Sequence, residues 1–150
     1  MTIYALSTGP GTSGIAVIRI SGEETSKIVK LLTGKTTPKP RVATLRKINK
    51  INTSELIDEG IILWFPGPES YTGEDMAEIH VHGSKAVIYA LHSTISQIKN
   101  CRMAEPGEFT KLAFQNGKIN LLKAESVADL ISFKISSGKS SSGKSILASI

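Results

Sequence analysis

Two short stretches constrain this chain more than any other feature. GIAVIRI at residues 14–20 and AEIHVHG at 77–83 both alternate their side chains with a period of two, the repeat of a β-strand. In the first, Ile15, Val17 and Arg19 fall on one face and Ala16, Ile18 and Ile20 on the other. In the second, Glu78, His80 and His82 stand opposite Ala77, Ile79 and Val81. That second strand therefore has one apolar face and one polar, titratable face.

The remaining patterns supply the partners of these strands. IYALS reads as a strand, joined to GIAVIRI through the turn TGPGTSG, because Gly and Pro supply turn backbone angles. ISGEETSKIVKLLTG reads as a helix capped by Ser21 with Glu24 at capping-box spacing, an apolar stripe of Ile28, Leu31 and Leu32, and a stop at Gly34. After the linker KTTPKPR, VATLRKI and LIDEGIILWF read as two further strands, and the loop PGPESYTGED leads into the histidine strand. From Ser84 the period becomes helical, with Val87, Leu91, Ile95 and Ile98 along one face. EPGEFTKLAFQNG predicts a short helix starting near Pro106 and stopping at Gly117, and INLLKAESVADLI a further one. Strands and helices without strict βαβ alternation predict an α+β domain: a mixed sheet of about five strands packed with three to four helices.

At 150 residues, 40% hydrophobic and 21% charged, the chain has the size and composition of one soluble globular domain. No run approaches the roughly 20 apolar residues of a membrane helix, and the start lacks a signal-peptide layout, so a cytoplasmic location is expected and no membrane association. Cys101 is the single cysteine, which excludes an internal disulfide and a cysteine-built metal site. The net charge of +5 suits a phosphate-bearing partner. The basic residues are not interleaved with aromatics, so they read as a solvated surface and not as a nucleic-acid platform.

Imidazole and carboxylate are competent metal ligands. A three-ligand site drawn wholly from Glu78, His80 and His82 on one strand is awkward, however, so hydrogen-bonded surface histidines are expected and no metal. No nucleophile, base and orienter set is visible, and no catalytic residue is assigned. Arg19 ends an apolar row; by pattern alone it is equally an arginine reaching solvent at a strand end. SYTGED reads as a tight polar turn. The Asn-Gly pair in FQNGK favours left-handed backbone and presents Lys118 just past a helix end, where a lysine also suits the helix dipole. Gly138, Gly143, Lys144 and Ser145 match a phosphate-loop pattern, but only Ile146 to Ile150 follow, too little for the rest of a nucleotide domain. Residues 133–150 read instead as a Ser/Gly/Lys low-complexity tail.

Three blocks, GPGTSGIAVIRISG, DEGIILWFPGPESYTGEDMAEIHVHG and EPGEFTKLAFQNGKINLLKAESVADLI, resemble the N-terminal domain of the tRNA-modification GTPases of the MnmE (TrmE) family over residues 1–132. The resemblance implies a tetrahydrofolate-binding fold related to the aminomethyltransferases. It divides the chain into a folate-binding and dimerisation domain at 1–120, the start of a helical domain at 121–132, and the tail. Carried over position by position, it implies that Arg19, Glu78 and Lys118 contact 5-formyl-tetrahydrofolate. It also implies a homodimer that works, in the full-length protein, with the flavoprotein MnmG on the wobble uridine of tRNA and cycles GTP with potassium and magnesium. This chain alone is expected to lack GTP hydrolysis. The sequence departs from the family's usual text at Thr12 and Ser13, at Ser84 and Lys85, and at Glu105. Two other readings are a small folate-dependent one-carbon transferase and a basic RNA-binding adaptor.

Overall fold

A computed structural model describes residues 1–8 and 14–120. Its elements run in chain order β1 (Thr2–Leu6), β2 (Ile15–Ser21), α1 (Thr25–Thr33), β3 (Thr44–Asn49), β4 (Leu56–Phe65), β5 (Met76–His82), α2 (Lys85–Ser96), β6 (Cys101–Met103) and α3 (Glu108–Gln115). The strands form one six-stranded sheet in the order β3-β4-β5-β2-β1-β6. Neighbours are antiparallel except β1 and β6, which run parallel. This is the mixed-sheet α+β fold that the sequence predicts, with β6 as a sixth strand where about five were expected. The turn around Thr12 and Ser13, all but the first two residues of the helix expected over INLLKAESVADLI, the segment 121–132 and the tail with its Gly138 to Ser145 match lie outside the described residues.

The two-residue period divides the sheet into unlike faces. On one, Ala16, Ile18 and Ile20 of β2, Ala77, Ile79 and Val81 of β5 and Ile62 and Trp64 of β4 pack against Ile28, Val29 and Leu32 of α1 and Leu91 and Ile95 of α2. On the other, Ile3, Ala5 and Met76 pack with Phe109 of α3 and with Phe65, Tyr71 and Leu112. Among the described residues that second cluster covers one end of its face, and farther along Ile15 and Leu45 are 58% and 61% exposed.

Helix ends follow the expected chemistry in part. Ser84 accepts a hydrogen bond from the Val87 backbone N–H at 3.1 Å and starts α2. Gly34, at φ 70, closes α1. Ser21 is not the cap of α1: the helix begins at Thr25 with Glu24 at the cap position and no side-chain cap bond. Ser21 is instead the fully buried last residue of β2, and its hydroxyl bonds to Thr72 and Glu74 at 2.8 Å each. Tertiary partners about 50 residues away in sequence thus outweigh a local capping-box spacing. No helix among the described residues is long and apolar enough to cross a membrane.

Candidate functional site

Antiparallel pairing of β2 with β5 sets Arg19 directly opposite Glu78 and Val17 opposite His80. Side chains opposed in this way lie on one face at contact distance. Arg19 Nη2 donates to Glu78 Oε2 at 3.4 Å, and both side chains are about one-fifth exposed. The guanidinium carbon also lies 5.8 Å from the ring centre of Tyr71 and 5.9 Å from that of Phe109, within cation–π range. Arg19 is therefore held against the sheet by a carboxylate and two aromatic rings. The other oxygen of Glu78, Oε1, lies 3.1 Å from His80 Nε2.

Lys118 reaches the same neighbourhood through α3 and the loop at 66–75. The helix ends in a Schellman turn: Gly117, at φ 71, bonds back to Phe114 O at 3.0 Å and Lys118 N–H to Ala113 O at 2.7 Å. Asn116 Nδ2 donates to Thr72 O at 2.7 Å and ties this turn to the loop. Gly73, at φ 84, lies under both residues: a Cβ placed there would come within 3.2 Å of Asn116 Cβ and 3.3 Å of Lys118 Cε. The loop is in turn fastened to β2. A carboxylate only accepts, so the Ser21 hydroxyl donates to Glu74 and must accept from the Thr72 hydroxyl. Tyr71 of the same loop faces Arg19 and bonds to Thr110 of α3 at 3.3 Å. One loop thus touches Arg19, α3 and the stem of Lys118.

The base of α3 is anchored by Arg102 of β6, whose guanidinium forms two hydrogen bonds to the Glu108 carboxylate. Those bonds hold the Glu108 carboxyl below its ordinary range despite its partial burial. Beyond Glu78, the polar face continues through His80 to His82. His82 is largely exposed, and its Nδ1 lies 2.9 Å from Asp58 Oδ2. Burial alone would raise the Asp58 carboxyl, but hydrogen bonds from the backbone and ring of His82 outweigh it and lower it. Both histidines are hydrogen-bonded surface groups, and among the described residues no set of three His, Cys, Asp or Glu side chains could hold a metal ion. A shallow groove of about 190 Å³ runs past His80 to Ile15 and Leu45. Cys101 packs at the core margin, where burial pushes its thiol up.

The family resemblance implies Arg19, Glu78 and Lys118 but none of the residues that hold them. The i, i+2 spacing of Glu78 and His80 was a visible signal for one contact. The positive-φ glycines in TGED and QNGK were signals for another. Tyr71 and Phe109 carried no local signal.

Fold and site define an α+β domain in which a half-covered sheet gathers an arginine–glutamate pair and a lysine around a single loop. A family profile described as GTP-binding protein TrmE N-terminus matches residues 2–118, and the chain belongs to that family. It is 82% identical over 132 residues to the tRNA modification GTPase MnmE of Pelagibacter ubique (strain HTCC1062), covering 88% of this chain and 30% of that protein. It is 48% identical over 130 residues to the mitochondrial 5-taurinomethyluridine-[tRNA] synthase subunit GTPB3 of Danio rerio, covering 87% of this chain and 26% of that protein. The same identity over 130 residues relates it to the MnmE of Paramagnetospirillum magneticum, 29% of which is covered. The chain therefore spans less than a third of the curated relatives it matches.

Proposed function

We propose that residues 1–120 form a folate-binding and dimerisation module of a cytoplasmic GTPase that modifies the wobble uridine of tRNA. The pairing of Arg19 with Glu78 on the half-covered sheet face carries this reading. The donor set fits the ligand. A pterin's pyrimidine edge offers adjacent N–H donors that one carboxylate can accept together, and two cations suit its carbonyl, formyl or glutamate oxygens. Glu78 takes the pyrimidine edge; Arg19, braced by Tyr71 and Phe109, and Lys118, resting on Gly73, take oxygens. Exposed Ile15 and Leu45 on the same face support a second copy as the partner that covers it.

The relatives' names describe GTPases and a synthase subunit that act on tRNA. In this reading the module supplies folate binding and dimer contacts. GTP turnover with potassium and magnesium, the MnmG partner and the tRNA belong to the full-length protein. Calorimetric titration with 5-formyl-tetrahydrofolate tests it. The wild-type chain binds, and Lys118→Met weakens binding about tenfold, the scale of one charge-assisted contact. No heat of binding from a folded chain would refute the folate role.

A further inference from the structure

Glu78 carries a hydrogen bond on each carboxylate oxygen: Arg19 Nη2 reaches Oε2 at 3.4 Å, and His80 Nε2 reaches Oε1 at 3.1 Å. We propose that His80 is a positioning residue: its ring N–H fixes the rotation of the Glu78 carboxylate so that one acceptor site on each oxygen is presented to the two adjacent donors of the ligand. The inference rests on the folate reading above and adds to it a residue that reading leaves out.

Four observations carry it. A carboxylate accepts and does not donate, so the contact requires a proton on His80 Nε2. The ring is itself confined, because strand register sets Val17 of β2 on one side of His80 and Ile61 of β4 on the other. His80 is only partly exposed, at 30% of its side chain, so it forms part of the sheet surface and is not a free solvent group. A carboxylate offers about four acceptor sites; with one taken on each oxygen by Arg19 and His80, one remains on each, the number a two-donor edge needs. Without His80, Glu78 keeps only the longer of the two bonds, and its terminal torsion, which is broad and roughly two-fold, is free to turn away from the ligand.

Substitution at position 80 separates positioning from packing. His80→Gln keeps an N–H donor within reach of Oε1, whereas His80→Leu keeps bulk and removes the donor. The expected 5-formyl-tetrahydrofolate affinities are within about threefold of wild type for His80→Gln and about tenfold weaker for His80→Leu, the scale of one hydrogen bond to a charged group. Thermal melts of both variants should match wild type, which keeps a folding defect from imitating the result. In a Glu78→Gln background, His80→Leu should cause little further loss, because its effect passes through the carboxylate. Equal losses for Gln and Leu, or an undiminished His80→Leu loss in the Glu78→Gln background, would overturn the positioning role; the latter would mean that His80 touches the ligand itself. Failure of the wild-type chain to bind overturns the folate reading and this role together, while tight binding unchanged by His80→Leu overturns this role alone.

Discussion

Ile79 and Glu78 are neighbours on the same strand, yet they serve opposite sides of the sheet. Ile79 is fully buried between the strands and the α1 and α2 helices. Glu78 lies on the half-covered face with an arginine and a histidine on its two oxygens. On the first face the contacts are apolar, numerous and non-directional, so stability is spread over many side chains. On the second, a few directional bonds fix a few polar groups, and each group has its own fastener. In the folate reading proposed above, the face under α1 and α2 carries most of the buried apolar packing and the other face, beside the smaller Phe109 cluster, presents the ligand-facing polar groups; strand alternation serves both.

Breaking the covered face should have the largest effect. Ile79→Ala is expected to lower unfolding stability by about 2–5 kcal/mol, the usual range for removing most of a buried aliphatic side chain, as read from urea denaturation. The junction between the faces comes next. Ser21→Ala removes the hydroxyl that links Thr72 to Glu74 and should cost about 1–3 kcal/mol, since it leaves polar partners short of a bond. Gly73→Ala puts a Cβ on a residue at φ 84 and crowds Asn116 and Lys118. The expected loss is about 1–2 kcal/mol from the left-handed backbone, with folate affinity falling more than that loss alone implies, because Lys118 must move.

The smallest effects separate the faces by pH. His92 of α2 has its ring 5.7 Å from that of Tyr4 on the covered face, and burial lowers its pKa from the ordinary 6.5. The unfolded chain therefore binds a proton more readily, and stability falls as pH drops below about 6.5. Glu108 is held below its ordinary 4.5 by Arg102. Its contribution is present above that value and is lost as pH falls through the lowered one. Amide exchange should show α2 loosening first on acidification and α3 only below about pH 4.5. Arg102→Ala should remove the second step and leave the first.

Much of this division was legible in the sequence. The alternation of GIAVIRI and AEIHVHG assigned Ile15 to Ile20 of β2 and Ala77 to His82 of β5 to their observed faces. Ser84 and Gly117 marked their helix ends because their roles depend on residues nearby. Interactions distant in sequence were not legible. The three residues of β6 are too few to show a period, and their place in the sheet depends on parallel pairing with β1. Ser21 imitated a cap because Ser-x-x-Glu spacing is local, whereas its true partners Thr72 and Glu74 come from another loop. For the site, the family resemblance implied Arg19, Glu78 and Lys118, while residue pattern alone left Arg19 and Lys118 open to structural roles. The contact between Arg19 and Glu78 spans 59 residues of sequence, and only strand register could supply it.

The separation of stability from chemistry is tested most directly by one paired measurement on Glu78→Ala: its folate titration and its unfolding curve. The account predicts a chain that melts within about 1 kcal/mol of wild type, as partly exposed ion pairs contribute little, and that no longer binds 5-formyl-tetrahydrofolate measurably. A variant that still binds like wild type, or one destabilised as severely as Ile79→Ala, would contradict it.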